Sequence, residues 1–211
     1  MRAKTKIIDP DAVDPNGIFT VDTVTGTAPI VLTLAGALVS DGVATMDLAH
    51  RIAIISSGAD SGITFTVVGT DADNRAITEV ITGGATATVE SVAYFKTITS
   101  ITASGAAAAN VTIGTVDKLV SNTIPLNHYA HDAATVSIEK VTGTIDFSIE
   151  ETFSDIWDST AYVFRAASAA TLTTITAAAF MNMDNHATGI RFVANSYTTG
   201  ADVTIKINSN G

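Results

Sequence analysis

Apolar and polar residues alternate with a period of two along much of this chain. In Ile63-Thr64-Phe65-Thr66-Val67, the side chains of Ile63, Phe65 and Val67 share one face and the threonines share the other, the pattern of a strand with one side in a core and one in water. Ile145, Phe147 and Ile149 repeat it against Thr144, Asp146, Ser148 and Glu150, as do Val203, Ile205 and Ile207 against Thr204 and Lys206. Valine, isoleucine and threonine are stiff at χ1 and lose little in extended backbone, so their abundance strengthens the reading. Further strands are expected at 30–34, 51–56, 76–81, 98–103, 111–115, 135–140 and 190–193. Turn formers separate them: Ser57-Gly58-Ala59-Asp60-Ser61-Gly62, Asp71-Ala72-Asp73-Asn74, Gly83-Gly84 and the small residues of 104–110.

Short strands at this spacing predict an all-β fold, two β-sandwich or barrel-like domains with short loops and little helix. Short helical excursions are expected at 154–160, around Trp157, and at 176–183, although neither holds a 3.6-residue period. The polar stretch Ser121-Asn122-Thr123-Ile124-Pro125-Leu126-Asn127 marks a junction. Residues 1–124 then form a Thr/Ala/Gly-rich β domain with an extended N-terminal arm, and residues 125–211 a β domain richer in aromatics. No repeat of 20 to 50 residues points to a solenoid.

Composition sharpens this picture. The chain has 211 residues, enough to bury a core without metal or disulfide staples. It contains no cysteine, which removes disulfide frameworks, thiolate catalysis and Cys-ligated metal centres. Eleven Lys+Arg against 21 Asp+Glu give a net charge of −10, which argues against direct nucleic-acid binding. Only 15% of residues are charged, 33 are threonine, and the mean hydropathy is +0.35, a combination opposed to disorder. Much of the surface must then be Thr, Ala, Ser and Gly, the kind of surface that lies against another subunit. No apolar run approaches the roughly 18–20 residues of a membrane helix. Arg2, Lys4 and Lys6 precede only two apolar residues before Asp9, so no signal peptide is expected.

Candidate chemistry is sparse. Asp9, Asp11, Asp14 and Asn16 gather oxygen ligands of the kind Ca²⁺ takes, but without EF-hand spacing, and Asp-Pro and Asn-Gly are ordinary turn dipeptides. Asp71 and Asp73 are expected to cap a hairpin turn. His128, His131 and Asp132 offer three metal ligands, while His50 and His186 lie far away in sequence. Glu150-Glu151 with Asp155 and Asp158 is the densest acidic group, but alternation puts the two glutamates on opposite faces, so they are expected as solvated strand ends rather than a glycosidase pair. No nucleophile elbow, Walker A sequence or dinucleotide fingerprint occurs, so neither enzymatic activity nor a cofactor is expected.

Several stretches share one further character: Ile52-Ala53-Ile54-Ile55-Ser56-Ser57-Gly58-Ala59-Asp60, then Ile63 to Asp71, Ala76-Ile77-Thr78-Glu79-Val80-Ile81, Phe95-Lys96-Thr97-Ile98-Thr99-Ser100-Ile101, and Val111-Thr112-Ile113-Gly114-Thr115. Val141-Thr142-Gly143-Thr144-Ile145-Asp146-Phe147-Ser148-Ile149-Glu150-Glu151-Thr152-Phe153 and Gly189-Ile190-Arg191-Phe192-Val193 continue it. Over about 110 residues this text resembles the β-rich virion structural proteins of tailed bacteriophages. The resemblance implies a particle component assembled in the host cytoplasm, either a capsid decoration subunit or a head–tail or tail part. It implies other virion proteins and copies of itself as partners, and no catalytic residues. The residues expected at interfaces are Arg2, Lys4 and Lys6 of the basic arm with Tyr129, Phe153, Trp157 and Tyr162. An alternative reading is a carbohydrate- or receptor-binding module using Tyr129, Trp157, Tyr162 and Tyr197.

Overall fold

A computed structural model describes residues 4–126, 135–157, 163–167, 175–182 and 187–208. These residues contain no helix, and their strands are β1 (Lys4–Ile8), β2 (Phe19–Thr23), β3 (Ile30–Val31), β4 (Val39–Ser40), β5 (Val43–Ser56), β6 (Thr64–Thr70), β7 (Ala76–Thr82), β8 (Thr88–Glu90), β9 (Phe95–Ala103), β10 (Asn110–Val120), β11 (Ile124–Pro125), β12 (Thr135–Thr142), β13 (Ile145–Thr152), β14 (Phe164–Ala166), β15 (Ala179–Asn182), β16 (Gly189–Tyr197) and β17 (Asp202–Asn208). The protein is all-β, built on antiparallel sheets that do not close into a barrel. Chain contacts divide it into two compact units, Val13–Leu119 and Met1–Ala12 with Val120–Gly211.

In the unit Val13–Leu119, β10, β5, β9, β6 and β7 lie side by side in that order, with β2 on β10, β3 on β9, and β4 and β8 on β5. The core is what the alternation demands: Ile52, Ile54, Phe65, Phe95, Ile98, Ile101 and Ile113 are fully buried. Asp71 forms the β6–β7 turn. Its Oδ1 accepts the N–H groups of Asp73 and Arg75 at 2.8 and 2.9 Å, and Asn74 takes the left-handed φ of 62° that asparagine tolerates. The β6–β9 register shifts between Val68 and Gly69, where a Cβ on Gly69 would overlap the Thr97 carbonyl, so only glycine fits.

The 14-residue β5 breaks its own pairing with β9 between Thr45 and His50. Carbonyls freed by such an irregularity need other donors. The Lys96 Nζ supplies them, donating to the carbonyls of Met46 and Asp47 at 2.5 Å each. The buried His50 ring closes the same region, with Nδ1 3.1 Å from the Val116 carbonyl and Nε2 3.1 Å from Asp47 Oδ1.

In the second unit β1, β17, β12 and β15 form one sheet, and β14, β13 and β16 lie side by side with β11 on β16. Residues 4–8, which sequence alone sets aside as an arm, pair with β17 from Lys4 opposite Ile207 to Ile8 opposite Val203. Phe147 and Phe192 stack at the centre, fully buried with ring centroids 4.4 Å apart. The helix expected at 176–183 is corrected: residues 179–182 form β15 against β12, from Ile138 opposite Ala179 to Thr135 opposite Asn182. Short Ala/Thr-rich text has no helical stripe to bury, and a neighbouring strand offers a full hydrogen-bond ladder. The other expected helix is absent from the described residues 154–157, where Asp155 Oδ1 accepts the Trp157 N–H at 2.9 Å in a local turn.

Candidate interaction surfaces

The first surface grows from the end of β13 in the second unit. Thr152 Oγ1 donates to the Val163 carbonyl at 2.9 Å and accepts the Ser154 N–H at 3.2 Å. Thr188 Oγ1 lies 3.0 Å from the Thr152 carbonyl and 2.6 Å from that of Ser154. These bonds anchor the base of the loop that carries Phe153 and Trp157. Trp157 is 75% exposed, Val163 76% and Phe153 42%, and the Arg165 guanidinium sits 4.2 Å from the Phe153 ring centroid. Arg191 stacks similarly on Phe164 at 3.8 Å and pairs with Glu150 at 2.6 Å. An exposed indole and, four residues earlier in the chain, an arginine-capped ring are side chains of the kind suited to contact.

Glu151 corrects the expectation of solvated strand ends: it is 1% exposed, with Oε1 3.5 Å from Arg165 Nε. The cause is register, because β13 and β14 place Glu151 opposite Arg165, and a buried carboxylate is retained where a cation faces it. Glu150, one residue earlier, points the other way to Arg191, as alternation requires. Tyr197 is also corrected as an exposed aromatic, being 7% exposed with its hydroxyl donating to the Asp11 carbonyl at 2.9 Å.

The second surface belongs to the unit Val13–Leu119. Register pairs Thr64 with Thr82, Thr66 with Val80, Val68 with Thr78 and Thr70 with Ala76 across β6 and β7. Across β6 and β9 it pairs Thr66 with Thr102, Val68 with Ser100 and Thr70 with Thr97. Their neighbours in sequence, Phe65, Val67 and Ile101, point into the core, so this row is the outward face. None of its side chains is charged. Hydroxyls and methyl groups tile it, with Thr70 and Thr97 hydrogen-bonded at 2.7 Å and Val80 59% exposed. Sequence reasoning had every threonine and the alternation, but which strands lie side by side is a long-range fact that alternation does not carry.

The remaining sequence candidates fall elsewhere. Lys4 Nζ donates to the Pro125 carbonyl and Lys6 Nζ to Asn122 Oδ1, both at 2.9 Å, so these amines brace β1. Arg2, Tyr129, Tyr162, His128, His131, Asp132, Asp158 and His186 lie outside the described residues. Asp14 shapes a turn, its Oδ1 accepting the Asn16 N–H at 3.3 Å and its carbonyl the Thr115 N–H at 2.8 Å. Among the described residues no group of three or more His, Asp or Glu is placed to hold a metal ion, and no helix is long and apolar enough to cross a membrane. A groove of about 360 Å³ lies along residues 19–35, lined by Thr20, Thr23, Thr25 and Thr33, with Asp22 as its one charged side chain. No protein-family model matches the chain, and no curated protein matches it either.

Proposed function

We propose that this protein is a non-enzymatic structural component of a tailed-bacteriophage virion, a capsid decoration or cement subunit that stabilises the particle through contacts with other virion proteins and with copies of itself. The observation that carries the reading is the uncharged Thr/Val face of β6, β7 and β9. A protein of net charge −10 that leaves one broad face free of charge has a surface fitted to close packing against protein. The exposed Phe153 and Trp157 add anchors of the type that dominate such contacts. Assembly in a reducing cytosol followed by survival outside it suits β packing without cysteine.

Mass spectrometry and electron microscopy of purified particles test the reading. A decoration subunit is expected in many copies following the capsid lattice, whereas a head–tail or tail component would number roughly six or twelve in a closed ring. Absence from the particle would overturn the proposal. A second reading, a carbohydrate-binding module, is favoured by one observation, the 75% exposure of Trp157. Glycan-array binding that is lost in Trp157→Ala would establish it in place of the first.

A further inference from the structure

We propose that the turn after β5 builds a site for one hard metal cation, Ca²⁺ or Na⁺, held through oxygen alone, with the Asp60 carboxylate as its charged ligand. Asp60 is 2% exposed, and its Oδ1 accepts the Ala108 N–H at 2.7 Å. Its Oδ2 is buried and has no hydrogen-bond partner. Four residues earlier the Ser56 hydroxyl is in the same state, the residue being 3% exposed and its Oγ bonded to nothing among the described residues. The two residues are clamped between the same pair of loops. On one side the Ser56 N–H donates to the Ala87 carbonyl at 3.1 Å and the Asp60 N–H to that of Gly84 at 2.9 Å. On the other, the Ser57 N–H reaches the Asn110 carbonyl at 3.0 Å while Asp60 takes the Ala108 N–H. Burying a polar atom without a partner is costly, and burying a charge more so, so two orphaned oxygens under one turn point to a ligand from outside the chain.

Charge identifies that ligand. The unit Val13–Leu119 has four lysines and arginines, and each is placed elsewhere. Lys96 serves the Met46 and Asp47 carbonyls, Lys118 pairs with Glu90 at 2.6 Å, and Arg51 lies over the Tyr94 ring. Arg75 follows the β6–β7 turn, whereas Asp60 adjoins the other end of both strands, its carbonyl accepting the Ile63 N–H and its N–H reaching Gly84. Seven extended residues separate those ends by about 20 Å. A proton on Oδ2 would not settle the atom, because an O–H there finds no acceptor in reach. A cation does, and it can take the Ser56 hydroxyl oxygen as a second ligand. Its class follows from what the loops offer: a carboxylate, a hydroxyl and backbone carbonyls over residues 56–62, 83–87 and 104–110, with no histidine or cysteine among them. All-oxygen surroundings suit hard cations rather than zinc or copper. Glycine lets the loops close this tightly, since a Cβ on Gly83 would lie 2.6 Å from the Asp60 carbonyl oxygen. With one carboxylate, the expected Kd is about 10⁻⁴–10⁻³ M, where sites of few charged ligands fall.

The inference is independent of the particle reading, which particle composition decides separately. Thermal melting and calorimetric titration of the full chain test it, after chelator treatment and refolding, with CaCl₂ and with NaCl, each against choline chloride at matched ionic strength. At roughly ten times Kd the bound cation should raise the melting temperature by about 3–5 °C. Asp60→Asn keeps an acceptor for the Ala108 N–H but removes the charge, and should abolish the rise. Asp41→Asn removes an exposed carboxylate from the same unit and should retain it. Without cation, Ser56→Ala should melt with the wild type, since its Oγ makes no bond, and with cation it should bind about fivefold more weakly. A rise with NaCl alone would identify the occupant as Na⁺, and a rise with CaCl₂ as Ca²⁺. No rise with either salt, an equal rise in Asp60→Asn, or a rise that Asp41→Asn also abolishes would each overturn the proposal. Cation binding that Ser56→Ala leaves undiminished would overturn it as well, whether or not Asp60→Asn folds.

Discussion

Asp60 is 2% exposed, and its Oδ1 accepts the Ala108 N–H at 2.7 Å, tying the loop before β10 to the turn after β5. Truncating a buried acceptor leaves its donor without a partner, so Asp60→Ala should lower stability by about 1–3 kcal/mol in urea titration. Asp60→Asn, which keeps an acceptor oxygen, should lose less. Trp157 presents the opposite case: its side chain is three-quarters in solvent, and Trp157→Ala should change folding stability by less than about 0.5 kcal/mol while weakening any contact made through that loop. A melting temperature shared with wild type, beside reduced particle or glycan binding, is the expected pair of results. Alternation foretold that Glu150 and Glu151 would separate, but not that Glu151 would be buried, because Arg165 reaches it from 14 positions further along the chain.

Strands whose two faces meet different surroundings were legible, and those held only by a neighbour were not. β6, β13 and β17 show in their alternating text because a half-buried strand must alternate. β15 has no such signature; it exists because β12 offers it a ladder. Close approaches between elements also leave little trace. Gly114 lies where a Cβ would overlap the backbone of the turn at residues 14–16, and Gly114→Ala should destabilise the fold by about 2 kcal/mol or more, measured by denaturant titration. In the second unit, Phe147→Ala removes one of two stacked, fully buried rings and should cost about 3–5 kcal/mol by the same measurement.

For the whole molecule, charge and surface pull in opposite directions. Each chain carries −10, so copies repel at long range, while the outward row of β6, β7 and β9 adds no repulsion at contact. Self-association should therefore strengthen between low salt and about 0.15 M, where the Debye length is near 8 Å, and sedimentation at the two salt levels checks this. Loss of association with salt would mean that ion pairs hold the copies together. The sequence by itself determined the all-β class, most strand positions and the scarcity of charge, because period-two patterning and composition are local properties of the text. The tertiary structure alone decided that residues 4–8 join β17, that Glu151 meets Arg165, that β7 ends a sheet, and that threonines from three strands merge into one uncharged face. Each of these depends on which strands become neighbours, and long-range pairing is set by the packing of the whole chain rather than by any stretch of it.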